Sequence, residues 1–229
     1  MRINADFKKT VIVKPEDTSW TPSPAKGVER VMLDRIGDEV ARATTIVRFA
    51  EDKYFPEHQH DGGEEFFVLE GVFSDQYGDF PAGTYVRNPV GTSHSPHTVE
   101  GCTIFVKLWQ FEQQDNKQFS IDTNTAQWIS SDNPEQDILP LHQYKDEVVQ
   151  LERWDKDADI NRVAPKGGLE ILILAGSLQK NGDLYPQRTW LRYPEAETVN
   201  FTVFESCTLF CKTGHLLNLD SPDKQPEKE

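Results

Sequence analysis

Four of the six histidines fall in one short stretch of this 229-residue chain, with a spacing that suits metal binding. His58 and His60 are two residues apart in a strand-like segment, so their imidazoles would point to the same face. The Asp-Gly-Gly sequence after His60 is typical of a turn, which would bring Glu64 beside the two rings. His94 follows a Pro- and Gly-containing turn. These four residues are the predicted metal ligands.

The chemistry of this donor set limits the choice of ion. Three neutral imidazoles and one carboxylate suit zinc, iron, nickel, copper or manganese, whereas calcium and magnesium prefer shells made of oxygen. We therefore expect a divalent transition metal, with zinc and iron as the leading candidates. The sequence alone assigns no catalytic residue.

Three other side chains are candidates for the pocket around the metal. His97 lies three residues after His94, which is the wrong parity for the same strand face, so it would contact a ligand or line the pocket. Tyr85 and Phe66 could line the pocket mouth. The alternatives are a loop position for His97 and core positions for the two aromatic residues.

Short strands must position these groups. Segments with the alternation or the β-branched and aromatic content of strands are Val40–Phe49, Phe66–Leu69, Thr84–Asn88 and Thr103–Phe111. No segment has a sustained helical period. Closely spaced strands with turns rich in Gly, Pro and Asp predict an all-β protein made of barrels or sandwiches.

The chain also contains an internal repeat. Residues 62–71 align with 167–176 at an offset of 105, and the same offset continues without a gap to 100–107 and 205–212. Two copies of one domain account for the length. The sequence therefore predicts two tandem β-barrels.

The repeat sets the predicted domain boundaries. A polar stretch at 113–118 separates a metal-binding barrel, residues 1–112, from a degenerate barrel, residues 113–229. The Pro- and charge-rich C-terminus is predicted to fray from about residue 217.

The second copy lacks the metal ligands. At the offset of 105, the four ligand positions are occupied by apolar residues, which predicts a hydrophobic plug in the second barrel and one metal ion per chain. These residues are Val163, Pro165, Leu169 and Val199. Three charges occur in both copies and are therefore expected to form scaffold ion pairs: Glu65/Glu170, Arg87/Arg192 and Lys107/Lys212.

Composition excludes several classes of partner. The net charge is −14 and no run rich in Lys or Arg is present, so nucleic acids and anionic membranes are not expected partners. The N-terminus has no apolar segment of a secretory signal, and three cysteines do not form a disulfide framework. We expect a soluble cytoplasmic protein.

Two motifs resemble those of a known superfamily. His58-x-His60-x3-Glu64-x6-Gly71 and Gly83-x5-Pro89-x-Gly91-x2-His94 match the cupin signatures, and the wider context of residues 18–110 is similar to the ChrR-type cupins. The resemblance implies a tandem bicupin with two jelly-roll barrels, and it supports metal binding by the histidines and Glu64 in the first one.

The resemblance implies two alternative functions. ChrR-type cupins are the sensor domains of anti-sigma factors, which suggests a regulatory or stress-sensing protein. Residues 1–30 contain no His or Cys, so the zinc-binding domain that grips the sigma factor is not recognised and sigma-factor binding is not expected. Other cupins are iron-dependent dioxygenases that cleave small diketones or aryl ketones, which would place a small-molecule ligand in the first barrel. Either a monomeric pseudo-dimer or a homodimer is expected.

Overall fold

The computed structural model describes residues 1–217 and 219, and antiparallel strands make up most of this part of the chain. The strands up to residue 112 are β1 Arg2–Ile3, β2 Val11–Val13, β3 Thr21–Pro22, β4 Val28–Gly37, β5 Ala41–Phe49, β6 Lys53–Tyr54, β7 His58–Gln59, β8 Glu64–Asp75, β9 Gly78–Pro81, β10 Thr84–Asn88, β11 Ser93–His94, β12 His97–Thr98 and β13 Cys102–Leu108.

The remaining strands are β14 Phe119–Asp122, β15 Ile129–Ser130, β16 Gln136–Tyr144, β17 Glu147–Trp154, β18 Asp159–Val163, β19 Leu169–Lys180, β20 Asp183–Tyr185, β21 Trp190–Tyr193 and β22 Thr198–Thr213. The described residues contain one helical segment, a 3₁₀ turn at Pro15–Asp17. None of these residues forms a helix long and apolar enough to cross a membrane. Most of the tail predicted to fray lies outside them.

The described chain divides into two compact units. One contains Met1–Ala5 and Ser19–Ala126, and the other contains Asp6–Thr18 and Gln127–Leu217. The predicted boundary after residue 112 follows the repeat, whereas the pairing of strands places β14 in the first unit and β2 in the second. Each of these strands covers a sheet edge, since β14 pairs with β10 and β2 pairs with β21.

The main sheet of the first unit has the strand order β1-β4-β5-β13-β8-β10-β14, and β7 pairs separately with β11. Side chains alternate between its two faces. Phe66 lies opposite Val86 and Val106, and all three belong to the buried apolar cluster inside the barrel.

The opposite face of these strands carries charged residues. Arg87 pairs in register with Glu65, its guanidinium contacts the Glu65 carboxylate, and it also contacts Asp115. This contact agrees with the scaffold role expected of Glu65 and Arg87.

The second unit repeats this architecture. Its strand order is β15-β16-β17-β22-β19-β21-β2, and its buried apolar cluster is formed by residues of β17 to β22 and the loops between them. The predicted all-β fold of two tandem jelly-roll barrels is confirmed.

All three cysteines are buried and free, and burial raises the pKa of Cys102 to about 11.

The strand predicted at Phe66–Leu69 is longer than expected. It extends over Glu64–Asp75 because its pairing with β13 continues past Leu69 through a β-bulge between Val68 and Glu70. Gly71 has φ +69°, and a Cβ there would lie 2.1 Å from the Gly101 carbonyl oxygen. The extension matters for the site because it carries the strand on to Asp75.

Candidate metal centre

The structure brings together the four predicted ligands. His58 in β7 pairs in register with His94 in β11, and the backbone N–H of His60 donates to the Thr92 carbonyl at 2.8 Å. Glu64 is the first residue of β8. One potential ligand atom from each of His58, His60, Glu64 and His94 lies within 4.8 Å of the others.

The turn between His60 and Glu64 depends on glycine. Gly63 has φ +74°, its N–H donates to the His60 carbonyl at 3.3 Å, and a Cβ there would lie 2.5 Å from Phe111 Cγ. A side chain at this position would displace the phenyl ring. The close turn directs the first side chain of β8 to the interior, where the imidazoles lie.

Three of the four groups are nearly inaccessible to solvent. Exposure is 6% for His60, 9% for Glu64 and 1% for His94, whereas His58 is exposed. The Nε2 atoms of His60 and His94 each lie 3.7 Å from Glu64 Oε1. The cluster is therefore buried on three sides and reaches solvent at His58.

The hydrogen bonds of the Thr92 hydroxyl fix the tautomer of His60. This hydroxyl donates to the Pro89 carbonyl at 2.7 Å, so it accepts a hydrogen bond from His60 Nδ1–H at 3.0 Å. The Nε2 atom of a neutral ring then carries a lone pair. Burial lowers the pKa of His60, and the opposing effect of Glu64 does not reverse this, so the ring is neutral at pH 7.

The other two imidazoles are held in the same way. His94 Nδ1 donates to Asp75 Oδ2 at 3.1 Å, and His58 Nδ1 donates to the Pro56 carbonyl at 3.2 Å. Both partners accept hydrogen bonds only, so in its neutral form each ring carries its proton on Nδ1. All three Nε2 lone pairs are left to the cluster.

This donor set fits a divalent transition metal. His60 Nε2 is buried and has no hydrogen-bond partner among the described residues, although a carboxylate oxygen lies 3.7 Å away. A lone pair and a carboxylate that face each other repel, and a cation between them removes that repulsion. Nitrogen-rich shells with one carboxylate favour transition metals over calcium or magnesium.

Asn88 orients the carboxylate. Asn88 Nδ2 donates to Glu64 Oε1 at 3.4 Å, and Gln118 Nε2 donates to Asn88 Oδ1 at 3.2 Å. Sequence reasoning missed Asn88 and Asp75 because each reaches the site through strand pairing and not through a local motif. Thr92, by contrast, lies inside the second motif and could have been found there.

Phe66 lies on the inner face of the sheet, but the ring of Phe73 lies between it and the ligand cluster. Its ring is 4.7 Å from that of Phe73, and the Phe73 ring is 5.7 Å from that of His94. Phe66 therefore packs behind Phe73, in the apolar core below the ligands.

The structure does not bring Tyr85 or His97 to the ligands. Tyr85 is three residues before Asn88 and so lies on the other sheet face, where its hydroxyl donates to Glu65 Oε2 at 2.6 Å. His97 lies in β12 and its ring stacks on Tyr54, with 5.3 Å between centroids. A pocket role is therefore not indicated for Tyr85, and His97 belongs to a neighbouring aromatic pair.

Sequence comparison identifies the family of both repeats. The model of the ChrR cupin-like domain matches residues 8–112 and again residues 116–217. The chain belongs to the ChrR cupin-like family. No curated protein matches the sequence of this ChrR-like cupin.

Solved structures similar to this ChrR-like cupin share its fold at low identity. A candidate dioxygenase from Nostoc punctiforme PCC 73102 has 14% identity and a TM-score of 0.73, with 90% of this chain and 82% of that chain covered. The Escherichia coli pirin YhhW in complex with nickel(II) has 14% identity and a TM-score of 0.61, with 90% and 99% covered. A variant of Bacillus subtilis oxalate decarboxylase has 12% identity and a TM-score of 0.62, with 89% and 76% covered.

The second barrel of the ChrR-like cupin corrects part of the sequence alignment. Ala164 makes the backbone bonds to residues 196 and 197 that His60 makes to residues 91 and 92, so Ala164 is the counterpart of His60. The turn that follows Ala164 has one residue more than the turn after His60. The counterparts of the four ligands are therefore Arg162, Ala164, Leu169 and Val199.

The predicted apolar plug is thus only half right. Leu169 and Val199 are buried in the core, but Val163 is 61% exposed and Pro165 is also exposed. The shift of one residue turns Val163 outward, because side chains alternate along a strand. Arg162 takes the inward position, and its Nη1 atom lies 2.8 Å from Glu152 Oε1. The second barrel therefore contains an ion pair as well as apolar residues.

Asp75 should tune the metal affinity of the first barrel. A carboxylate that accepts the Nδ1 proton raises the basicity of a ligating imidazole, so Asp75→Asn should weaken metal binding about 10–100-fold. Titration of the metal-free protein with zinc against a competing chelator measures this. The matched control is Asp79→Asn on the same hairpin, where the carboxylate accepts from Ser74 and not from a ligand. Equal affinities of the two variants would show that Asp75 does not act on the metal.

Proposed function

We propose that the first barrel of this ChrR-like bicupin holds one divalent transition-metal ion. The ligands would be Nε2 of His58, His60 and His94 and the carboxylate of Glu64. The proposal rests on one observation. The Nδ1 atom of each of the three histidines is hydrogen-bonded to an acceptor of the chain, so the Nε2 atoms are free to bind a metal together with the Glu64 carboxylate. Zinc or iron is the proposed ion.

We further propose a sensory role, in which occupancy of the site is the signal. Membership of the ChrR cupin-like family, with its resemblance to the sensor domains of anti-sigma factors, is consistent with this role. The disposition of Asp75 also supports it, because its carboxylate is engaged by His94 Nδ1 and by the Tyr77 N–H at 2.8 Å. Asp75 is therefore placed to orient a ligand, and not to exchange a proton with a substrate.

An enzyme is the second candidate, and the exposure of His58 favours it. A bound metal would supply Lewis-acid or redox chemistry, and the exposed side of the cluster would let a small molecule approach it. Phe73 gives the site an apolar wall, since its ring lies 5.7 Å from that of His94. The similarity to a candidate dioxygenase is consistent with this alternative, which would act on a small diketone or an aryl ketone.

Oxygen consumption separates the two candidates. Protein loaded with iron(II) is mixed with acetylacetone or 2-hydroxyacetophenone, and oxygen uptake is compared with that of His60→Ala loaded in the same way. The sensory role predicts equal uptake by both proteins and a metal-dependent rise in the thermal midpoint of the wild type alone. Substrate-dependent uptake that His60→Ala abolishes would establish the enzyme and reject the sensory role.

A further inference from the structure

Arg162 occupies a site position of the second barrel. It pairs in register with Val199, as His58 pairs with His94 in the first barrel. In the first barrel these positions converge, since the two imidazole centroids lie 4.8 Å apart. The second barrel thus has a guanidinium where the first has an exposed imidazole.

Tyr193 occupies another site position. It pairs in register with Leu169, as Asn88 pairs with Glu64 in the first barrel. There the Asn88 side chain reaches the cluster, with Nδ2 at 3.4 Å from the Glu64 carboxylate. The same strand geometry directs the longer Tyr193 side chain into the second barrel, where it is 2% exposed.

Both side chains carry hydrogen-bond donors that the described residues do not satisfy. Tyr193 Oη and Arg162 Nε are buried and have no hydrogen-bond partner in the described part of the chain. Burial raises the pKa of Tyr193, and the charge of Arg162 acts in the opposite direction, as expected for groups close to each other. Buried donors in native structures nearly always have an acceptor, so an acceptor from outside the chain is indicated.

The guanidinium of Arg162 has one edge left for such an acceptor. Nη1 binds both oxygens of Glu152 at 2.8 and 3.0 Å, whereas Nη2 faces the Cys211 sulfur at 3.6 Å, which is a weak acceptor. Glu152 is also bound by the Trp154 indole N–H at 2.9 Å. Glu152 is therefore held in place, and the Nε–Nη2 edge is not used by an oxygen.

An arginine of this protein already spans two carboxylates. In the first unit, Arg87 contacts Glu65 through Nη1 and Asp115 through Nη2. A guanidinium has donors in a planar fork that suits bidentate binding of a carboxylate, so Arg162 could bind a second one beside Glu152.

We propose that the second barrel binds a small aliphatic carboxylate, with its oxygens on the Nε–Nη2 edge of Arg162 and on the Tyr193 hydroxyl. Ala164, Leu169 and Val199, the counterparts of the other three ligand positions, belong to the buried apolar cluster of this barrel, and such surroundings suit a short carbon chain. The Arg162 side chain is 25% exposed, which gives the ligand a route from solvent. This site is independent of the metal ligands of the first barrel.

The test is a titration of the full chain with acetate, propionate and pyruvate, each compared with chloride at equal ionic strength. We expect saturable binding in calorimetry and a rise in the thermal midpoint for at least one carboxylate. Tyr193→Phe should weaken this binding about tenfold, because a hydrogen bond to a charged acceptor is lost. The matched control Tyr144→Phe, on an edge of the same barrel, should leave it unchanged.

Two further variants complete the test. Arg162→Lys keeps the charge next to Glu152 but removes the planar fork, so it should fold and should bind the carboxylate at least tenfold more weakly. His60→Ala should leave carboxylate binding intact, whatever its effect on metal. The proposal is wrong if no carboxylate of the panel differs from chloride, if Tyr193→Phe binds as tightly as the wild type, or if His60→Ala abolishes binding.

Discussion

Replacing Arg162 with methionine should destabilise the protein by about 3–5 kcal/mol, because it leaves the Glu152 charge buried without its partner. Glu152 is 1% exposed, so its charge is poorly screened by solvent once the guanidinium is removed. Unfolding in urea, followed by tryptophan fluorescence, measures the loss. The double variant Glu152→Leu/Arg162→Met should recover part of the loss, because two apolar side chains need no charged partner, while the buried Trp154 indole N–H loses its acceptor.

A surface ion pair provides the control. Arg48 and Glu29 are 45% and 44% exposed, so Arg48→Met should cost about 1 kcal/mol or less. If Arg162→Met costs no more than Arg48→Met, then the Glu152–Arg162 pair does not stabilise the second barrel.

The same pair should make stability depend on pH. Burial raises the pKa of Glu152, but the Arg162 charge and the hydrogen bonds to its carboxylate outweigh this and hold the pKa below its usual value. A depressed pKa gives stability that is fully present above the ordinary glutamate pKa and is lost as the pH falls through the folded-state value. Acidification should therefore destabilise the wild type more steeply than the double variant.

Replacing His60 with alanine should abolish high-affinity metal binding. His60 supplies the buried Nε2 atom that has no hydrogen-bond partner in the described chain, and no described neighbour takes its place. A metal at a hundred times its dissociation constant stabilises the folded state by about 2.7 kcal/mol. This increment should disappear in His60→Ala, and the urea midpoint with and without zinc measures it.

His97→Ala is the matched control for this variant. It removes a histidine of the same barrel that stacks on Tyr54 and lies outside the cluster. It should retain the full zinc-dependent increment. An equal loss of the increment in both variants would mean that the cluster around Glu64 is not the site of binding.

Local patterns predicted the ligand cluster because its geometry follows from parity and turns. His58 and His60 are two residues apart on a strand, so their side chains lie on the same face. The Gly-Gly turn then reverses the chain and brings Glu64 beside them. Side chains that reach the site through the pairing of distant strands have no local sequence pattern that marks them. Asp75 contacts His94 only because β8 continues beyond Leu69, where the predicted strand ended.

The internal repeat predicted the fold well but the second site less well. Sequence identity around Gly167 and Gly168 fixed an offset of 105, which is correct for β19, β21 and the end of β22. The extra residue after Ala164 changes the parity of β18, and nothing in the sequence marks it. Consequently the inward position of Arg162, and with it the ion pair to Glu152, was visible only in the structure.

Elemental analysis of the purified full chain tests the central claim most directly. Expression in medium supplemented with zinc or iron, followed by removal of loosely bound ions, should give one metal ion per chain in the wild type and none in His60→Ala. The four ligands His58, His60, Glu64 and His94 all lie in the first barrel. A stoichiometry near two, or no metal in the wild type after supplementation, would contradict the account.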